Sequence, residues 1–372
     1  MIERSWMMKI RSLLCVLSIL FILASAGAAG QGEPGDYKVL VMGDAHFDAP
    51  EFHRTPPASD GRRHERSRNL KMWKANSPAL FSAAGKRAAA EKVAFAVQLG
   101  DLAQGDCDDA ELQGAMIRKA YATVKKNLPD GVPFLLVKGN HDIRTVGKSK
   151  NNAAANAVLL PIISKELGRK VTKNSCYAFM RGRDLYIAVD GFIPAKETEA
   201  FVKKTLDAHP DTRYVIFMTH LPLLPASIRA PFWLVPGYDK IAAMLETRNT
   251  LVLAAHTHSP SLSTRTTVRG KITQLIVSSM GNAWSSKRIK GKFLDWAGFV
   301  SAVEGEIPKA KNPEKIRKRW TDWKSSGDMT FQYFFVNSGF VVLEIDDDQV
   351  VAHYYINTAA KPAATLKLLS GR

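Results

Sequence analysis

Cysteine is scarce, with three in 372 residues. Cys15 lies inside an apolar N-terminal run, so Cys107 and Cys176 are the two that remain. That excludes a thiolate metal cluster and a scaffold built on disulfides. In an oxidising compartment the two could pair with each other, and the sequence leaves this open. A bilayer-length apolar run is also missing. Leu13 to Ala26 (LLCVLSILFILASA) falls short of the about 20 residues a membrane-spanning helix needs. Arg4, Lys9 and Arg11 lie ahead of it, and Ala24-Ser25-Ala26 and Ala26-Gly27-Ala28 offer small-x-small sites at its end. This is the layout of a secretory signal peptide over residues 1–28, so export to a periplasm or the cell exterior is expected, an uncleaved anchor being the alternative. Cys15 follows Leu14 rather than a small residue, which argues against a lipid anchor, and no twin-arginine pair precedes the apolar run. Internal repeats are absent.

Acidic residues are in deficit, 35 against 52 basic, for a net charge of +17. The N-terminal segment supplies a net +2 of this, leaving +15 for the remainder. Such a surface attracts anions: phosphorylated substrates, nucleic acid, or an acidic lipid or polymer surface touched peripherally. No aromatic pattern specific to single strands accompanies the charge, so nucleic acid is not the favoured partner. Oligomeric state has no signature.

What is present is a series of apolar runs that end alike. YKVLVM is followed by Gly43-Asp44-Ala45-His46, VAFAVQL by Gly100-Asp101, and PFLLV, after Lys138, by Gly139-Asn140-His141-Asp142. YVIFM is followed by Thr219-His220, and LVLAA by His256-Thr257-His258. Runs at 185–189 and 274–277 also read as strands, and helix-like stretches at 84–92, 109–127, 196–209 and 238–246 lie between them. Strand–helix alternation with such apolar strands predicts an α/β (α+β) layered fold with a sheet buried on both faces.

Taken singly, each strand end has a bland reading. Gly-Asp is a turn signal, and one histidine beside an apolar run is usually a core or surface residue. Together they place Asp44, His46, Asp101, Asn140, His141, His220, His256 and His258 where ligands bind in α/β sheets, beyond the strands' carboxyl ends. Of the nine histidines, five lie in these segments. Oxygen and imidazole donors without thiolate suit Mn, Fe, Zn or Co. One carboxylate can bridge two ions, and such a pair acidifies a water and offsets charge on a phosphoryl group.

The order DxH, GD, GNHD, TH and HxH resembles the calcineurin-like metallophosphoesterases over about residues 37–283. The resemblance implies a four-layer fold, a two-sheet β-sandwich flanked by helices. It implies two divalent metal ions, one on Asp44, His46 and His258, the other on Asn140, His220 and His256, with Asp101 bridging. It also implies that His141 contacts the phosphoryl group and protonates the leaving group, with Asp142 orienting its ring, and that phosphomonoesters or phosphodiesters are hydrolysed by metal-activated hydroxide. Two departures stand out. Ala255 occupies a position that is usually glycine ahead of HxH, at a cost of about 1 kcal/mol if that position needs positive φ. Gln104 stands where the purple acid phosphatase branch has tyrosine, which argues against an Fe(III)–tyrosinate centre.

Arg144, His53 and Arg54 are candidate substrate contacts, each weighed against a surface role. Asp190 reads as structural. Residues 50–77 look like a polar insertion. Residues 284–330 form a basic, tryptophan-rich insert that could be a lid, a glycan or nucleobase platform, a membrane-surface contact or a satellite core. Residues 331–358 read as strands completing the core, with a hairpin at 340–356, and 359–372 as a loose tail. A non-catalytic, metal-stabilised binding or scaffold protein is the alternative function.

Overall fold

The computed structural model describes residues 35–54, 62–145, 150–281, 294–333 and 338–371. The expected signal peptide lies outside them, as does Trp284. No helix among the described residues is long and apolar enough to cross a membrane.

The first sheet takes β1 (Tyr37–Met42), β2 (Phe95–Leu99) and β3 (Phe134–Val137), all parallel, and extends from β1 through antiparallel β11 (Gly339–Ile345), β12 (Gln349–Ile356) and β13 (Ala364–Ser370). The second contains β4 (Tyr177–Arg181), β5 (Asp184–Ala188), β6 (Val215–Met218), β7 (Thr250–Ala254), β8 (Ser261–Thr267), β9 (Gly270–Ile276) and β10 (Asp328–Tyr333). Its order is β10-β8-β9-β7-β6-β5-β4, with β5, β6, β7 and β9 parallel.

Period-2 alternation divides the second sheet's side chains between two cores. Tyr186, Ile216, Met218, Leu251 and Leu253 face the first sheet and pack with Leu40, Val97 and Leu343. Leu185, Ile187, Val215, Phe217 and Val252 face outward. There they are covered by α4 (Ala195–Ala208), α5 (Tyr238–Leu245), α6 (Trp296–Glu306) and α7 (Pro313–Lys324). On the other side, α1 (Arg62–Ala90), α2 (Ala110–Lys125) and α3 (Asn152–Leu167) pack with the first sheet through Trp73, Phe81, Ile117 and Leu159. The result is the four-layer sandwich, two mixed sheets flanked by helices.

Two expectations need correction, and a third is narrowed. Most of the supposed polar insertion at 50–77 belongs to α1, which buries Asn69, Trp73, Ser77, Leu80, Phe81, Ala84 and Ala88 at helical spacing. Charges on its other face, and Pro78 inside it, hid the stripe. The loose tail is instead largely β13, which pairs with β12 and buries Leu368 and Leu369. In the tryptophan-rich segment, Trp320 and Trp323 are buried, stack at 5.6 Å and meet Trp296 at 6.1 and 5.9 Å. These indoles form a satellite core on the outer face of the second sheet, one of the alternatives the sequence leaves open for this segment.

Cys107 and Cys176 are free, buried, and held in separate cores. Burial pushes both thiols up to about 12, so neither is a reactive thiolate. The expected result is alkylation of both Cys107 and Cys176 in denaturant without reductant and almost none at either in the native state, read by peptide mass spectrometry. One linked pair under denaturing conditions would contradict the structure.

Candidate metal centre

Parallel strands deliver their carboxyl ends to one edge. Backbone hydrogen bonds then hold the loops beyond them side by side. Asp44 and His46 donate N–H to the carbonyls of Gly100 and Asp101 at 3.1 and 2.9 Å, and Ala255 donates to His220 at 3.1 Å. Met280 N–H donates to the Gly43 carbonyl at 2.9 Å and ties the first sheet's loop to the second. The site lies on this seam, with Asp44, His46, Asp101 and Asn140 following strands of one sheet and His220, His256 and His258 following strands of the other.

The backbone is strained where the side chains converge. Among the described residues eight non-glycine positions have positive φ, and five are Asp44, His46, Asp101, His256 and His258, between 47° and 67°. Clustering of left-handed residues at one place marks a functional constraint. Ala255 is not among them, so alanine carries no positive-φ penalty there; the unusual φ falls on His256 itself. Gly139 is needed for room rather than for positive φ. A Cβ there would lie 2.1 Å from Asp101 N and 2.2 Å from its Oδ1. Gly100 has both demands, with φ at +87° and the His220 ring 2.6 Å from where a Cβ would sit.

The side chains form two groups that share Asp101. The ligand atoms of Asp44, His46, Asp101 and His258 lie within 4.8 Å of one another, and so do those of Asp101, His220 and His256. The same oxygen of Asp101, Oδ2, is 3.8 Å from His46 Nε2 and 3.3 Å from His220 Nε2. His258 Nε2 is 3.0 Å from His46 Nε2 and 3.4 Å from Asp44 Oδ1. In the second group, His220 Nε2 is 3.0 Å from Asn140 Oδ1 and 3.1 Å from His256 Nδ1.

These distances fit cations. Donors about 2.1 Å from one ion, at octahedral or tetrahedral angles, lie about 3.0–3.4 Å apart. Two imidazole nitrogens facing each other at 3.0 Å need a proton or a metal between them. The His220 Nδ1–H donates to the Leu99 carbonyl at 2.9 Å, which leaves Nε2 as the ligand atom. The protonation pattern points the same way. Burial opposes charge on His220 and His258, yet Asp101 carries His220 up to about 9 and Asp44 raises His258. Burial and neighbouring histidines drive His46 and His256 well below the ordinary imidazole value. Despite burial, His220 and His141 hold the Asp101 carboxyl well below the usual range. The site thus has carboxylates that favour cations, be they His220 and His258 or a metal, and free imidazole lone pairs at His46 and His256.

His141 is buried beside the first group, its ring 4.5 Å from that of His46 and near-perpendicular to it. Its backbone N–H donates to Asp101 Oδ1 at 2.8 Å. Asp142 does not orient the His141 ring. Its two carboxylate oxygens accept N–H from Ala103 and Gly139, at 2.9 and 2.8 Å, and so fasten two strand-end loops together. Burial and the nearby Asp101 carboxylate push it up to about 7. The ring is oriented instead by the Gln104 carbonyl, which accepts from His141 Nδ1–H at 2.8 Å. A backbone acceptor of this kind leaves no trace in a motif. The Gln104 side chain turns away and accepts from Asn69 at 2.6 Å.

Of the three substrate candidates, Arg144 alone joins the site. Its guanidinium is 3.3 Å from His141 Nε2 and pairs with Asp106 at 2.6 Å. The His53 side chain is buried, with Nε2 on Asp48 at 2.6 Å and Nδ1 on the Asp106 carbonyl at 3.2 Å. Arg54 is exposed and bonds Asp108 and Asp109 at the start of α2. The His53 side chain is therefore committed to structure, and Arg54 lies in a surface ion pair. Asp190 pairs with Lys138 at 2.5 Å, both fully buried, as its structural reading requires. Trp233, unremarked in the sequence, packs its indole against His256.

The fold is shared with solved structures at low identity. A dimetal phosphatase from Danio rerio superposes with a TM-score of 0.52 at 13% identity, covering 90% of this chain and 99% of that one. A purple acid phosphatase from yellow lupin (Lupinus luteus) gives 0.52 at 12%, covering 91% of this chain and 54% of that one. The structure of PhoD gives 0.53 at 10%, covering 90% and 69%. No curated protein sequence matches the chain. Residues 37–260 do match the calcineurin-like phosphoesterase family, and the match takes in every one of the converging strand ends. By that match the chain belongs to the calcineurin-like phosphoesterase family.

Proposed function

We propose that the protein is an exported two-metal phosphoesterase that hydrolyses phosphomonoesters or phosphodiesters. The observation that carries this reading is Asp101 Oδ2, a single carboxylate oxygen within reach of both histidine groups. Asp44, His46 and His258 would hold one divalent cation, Asn140, His220 and His256 the other, and Asp101 both. When bound, such a pair supplies Lewis acidity toward a water and toward phosphoryl oxygens. The remaining work falls to the chain. His141 donates from Nδ1 to Gln104, so that in its imidazolium form the Nε2–H is the proton it would pass to the leaving group. Arg144, fixed by Asp106, brings positive charge to the same place and suits a phosphoryl oxygen. Asn140 adds a ligand oxygen without adding negative charge. Export rests on the basic start and apolar run of residues 1–28.

The test uses protein recovered from its expressing cell, stripped of metal and reconstituted with Mn²⁺. Initial rates on a chromogenic phosphomonoester and on the matching diester should rise with metal and favour one of the two. The recovered chain should begin near Gly27 to Gly30. Metal binding without hydrolysis of either ester would favour the scaffold alternative, and an intact N-terminus would remove export by cleavage.

A further inference from the structure

Trp233 is used by none of these roles, yet it stands beside the ligand cluster. Its ring centroid is 4.1 Å from that of His256, with the planes at 84°. His256 turns Nδ1 toward His220, so the indole borders an imidazole of the second ligand group. The side chain is 56% exposed, although its neighbours are held firmly. Leu234 and Val235 are buried, and Val235 N–H donates to the Pro222 carbonyl at 3.0 Å. Phe232 sits 6.3 Å from Trp320 of the satellite core, with the Arg319 guanidinium 4.1 Å from its ring centre. Trp233 N–H itself donates to the Ala230 carbonyl at 3.0 Å.

The exposure of this indole is therefore built in and does not come from a slack loop. The chain buries apolar side chains on either side of it and leaves the largest one in solvent at the edge of the metal cluster. The other large apolar side chains exposed among the described residues are Met180 and Val268, on β4 and in the turn between β8 and β9. An indole offers a flat, polarisable face to which another flat ring adheres, with little rotamer freedom to lose.

We infer that Trp233 is a stacking platform that selects phosphoesters carrying a flat aromatic group, an aryl ester or a nucleobase, over alkyl phosphoesters. The inference rests on the phosphoesterase reading of the same site. Stacking of one ring should favour the aromatic ligand about tenfold.

The test compares phenylphosphonate with methylphosphonate, neither of which can be hydrolysed as an ester, on the Mn²⁺-loaded full chain by calorimetry. Wild type should bind the phenyl compound about tenfold more tightly. W233A should lose that preference while binding methylphosphonate as before, and W233F should keep most of it. Equal affinities on wild type, or a preference that survives W233A, overturns the platform. So does a W233A protein that loses metal and weakens on both ligands alike, since the indole would then only support His256. Wild-type turnover of phenyl phosphate, AMP and glycerol phosphate then separates aryl ester from nucleotide. A phenyl preference in binding with no turnover of any ester keeps the platform and rejects the hydrolase.

Discussion

Asp101→Asn should lower kcat/KM by more than about 100-fold, because loss of an outer-sphere partner alone commonly costs 10–100-fold and Asp101 serves both ligand groups. Asparagine keeps Oδ1, so the bond from His141 N–H can persist and the loop need not move. It removes the charge and the ligand quality of Oδ2, the atom nearest both groups. Metal content measured by elemental analysis should fall from two ions per chain to one or fewer. Unchanged stoichiometry with near-normal turnover would show that Asp101 bridges nothing.

The second large effect is at His141. Its ring does not sit between ligand atoms; it packs on His46, donates to Gln104 and faces Arg144. His141→Ala should therefore leave both metals bound and cut turnover by about 10²–10⁴-fold. A proton donor matters most for a poor leaving group. The loss should be larger on an alkyl ester than on a nitrophenyl ester, whose leaving group needs no proton. A uniform loss across leaving groups, or a loss of metal, would assign His141 to binding instead.

Much of the centre was legible because each ligand follows an apolar run in the sequence. A buried strand announces itself by composition, and the residues just beyond it have few places to go. That logic located Asp44, His46, Asp101, Asn140, His220, His256 and His258, which the structure draws to one seam. It failed where a role depends on contacts between distant segments. Asp142 looked like a partner for the residue beside it, yet its oxygens reach backward to Gly139 and across to Ala103. His53 looked available until Asp48 took its Nε2. Trp233 lies in an aperiodic loop, and nothing local ties it to His256. Elements were missed for a similar reason. The alanine-rich α3 carries Pro161, and β13 mixes Thr and Lys with leucine, so neither shows a clean period.

The left-handed backbone at Asp44, His46, Asp101, His256 and His258 sets this centre against the stability of the protein that carries it. Such conformations cost on the order of 1 kcal/mol or more each, so five together approach the whole net stability of an ordinary domain. Glycine would relieve each of them and remove a candidate ligand every time. Variants selected for thermal tolerance alone would thus drift toward inactivity at these positions. The double core on either side of the second sheet is the reserve that lets the fold keep a centre its backbone resists.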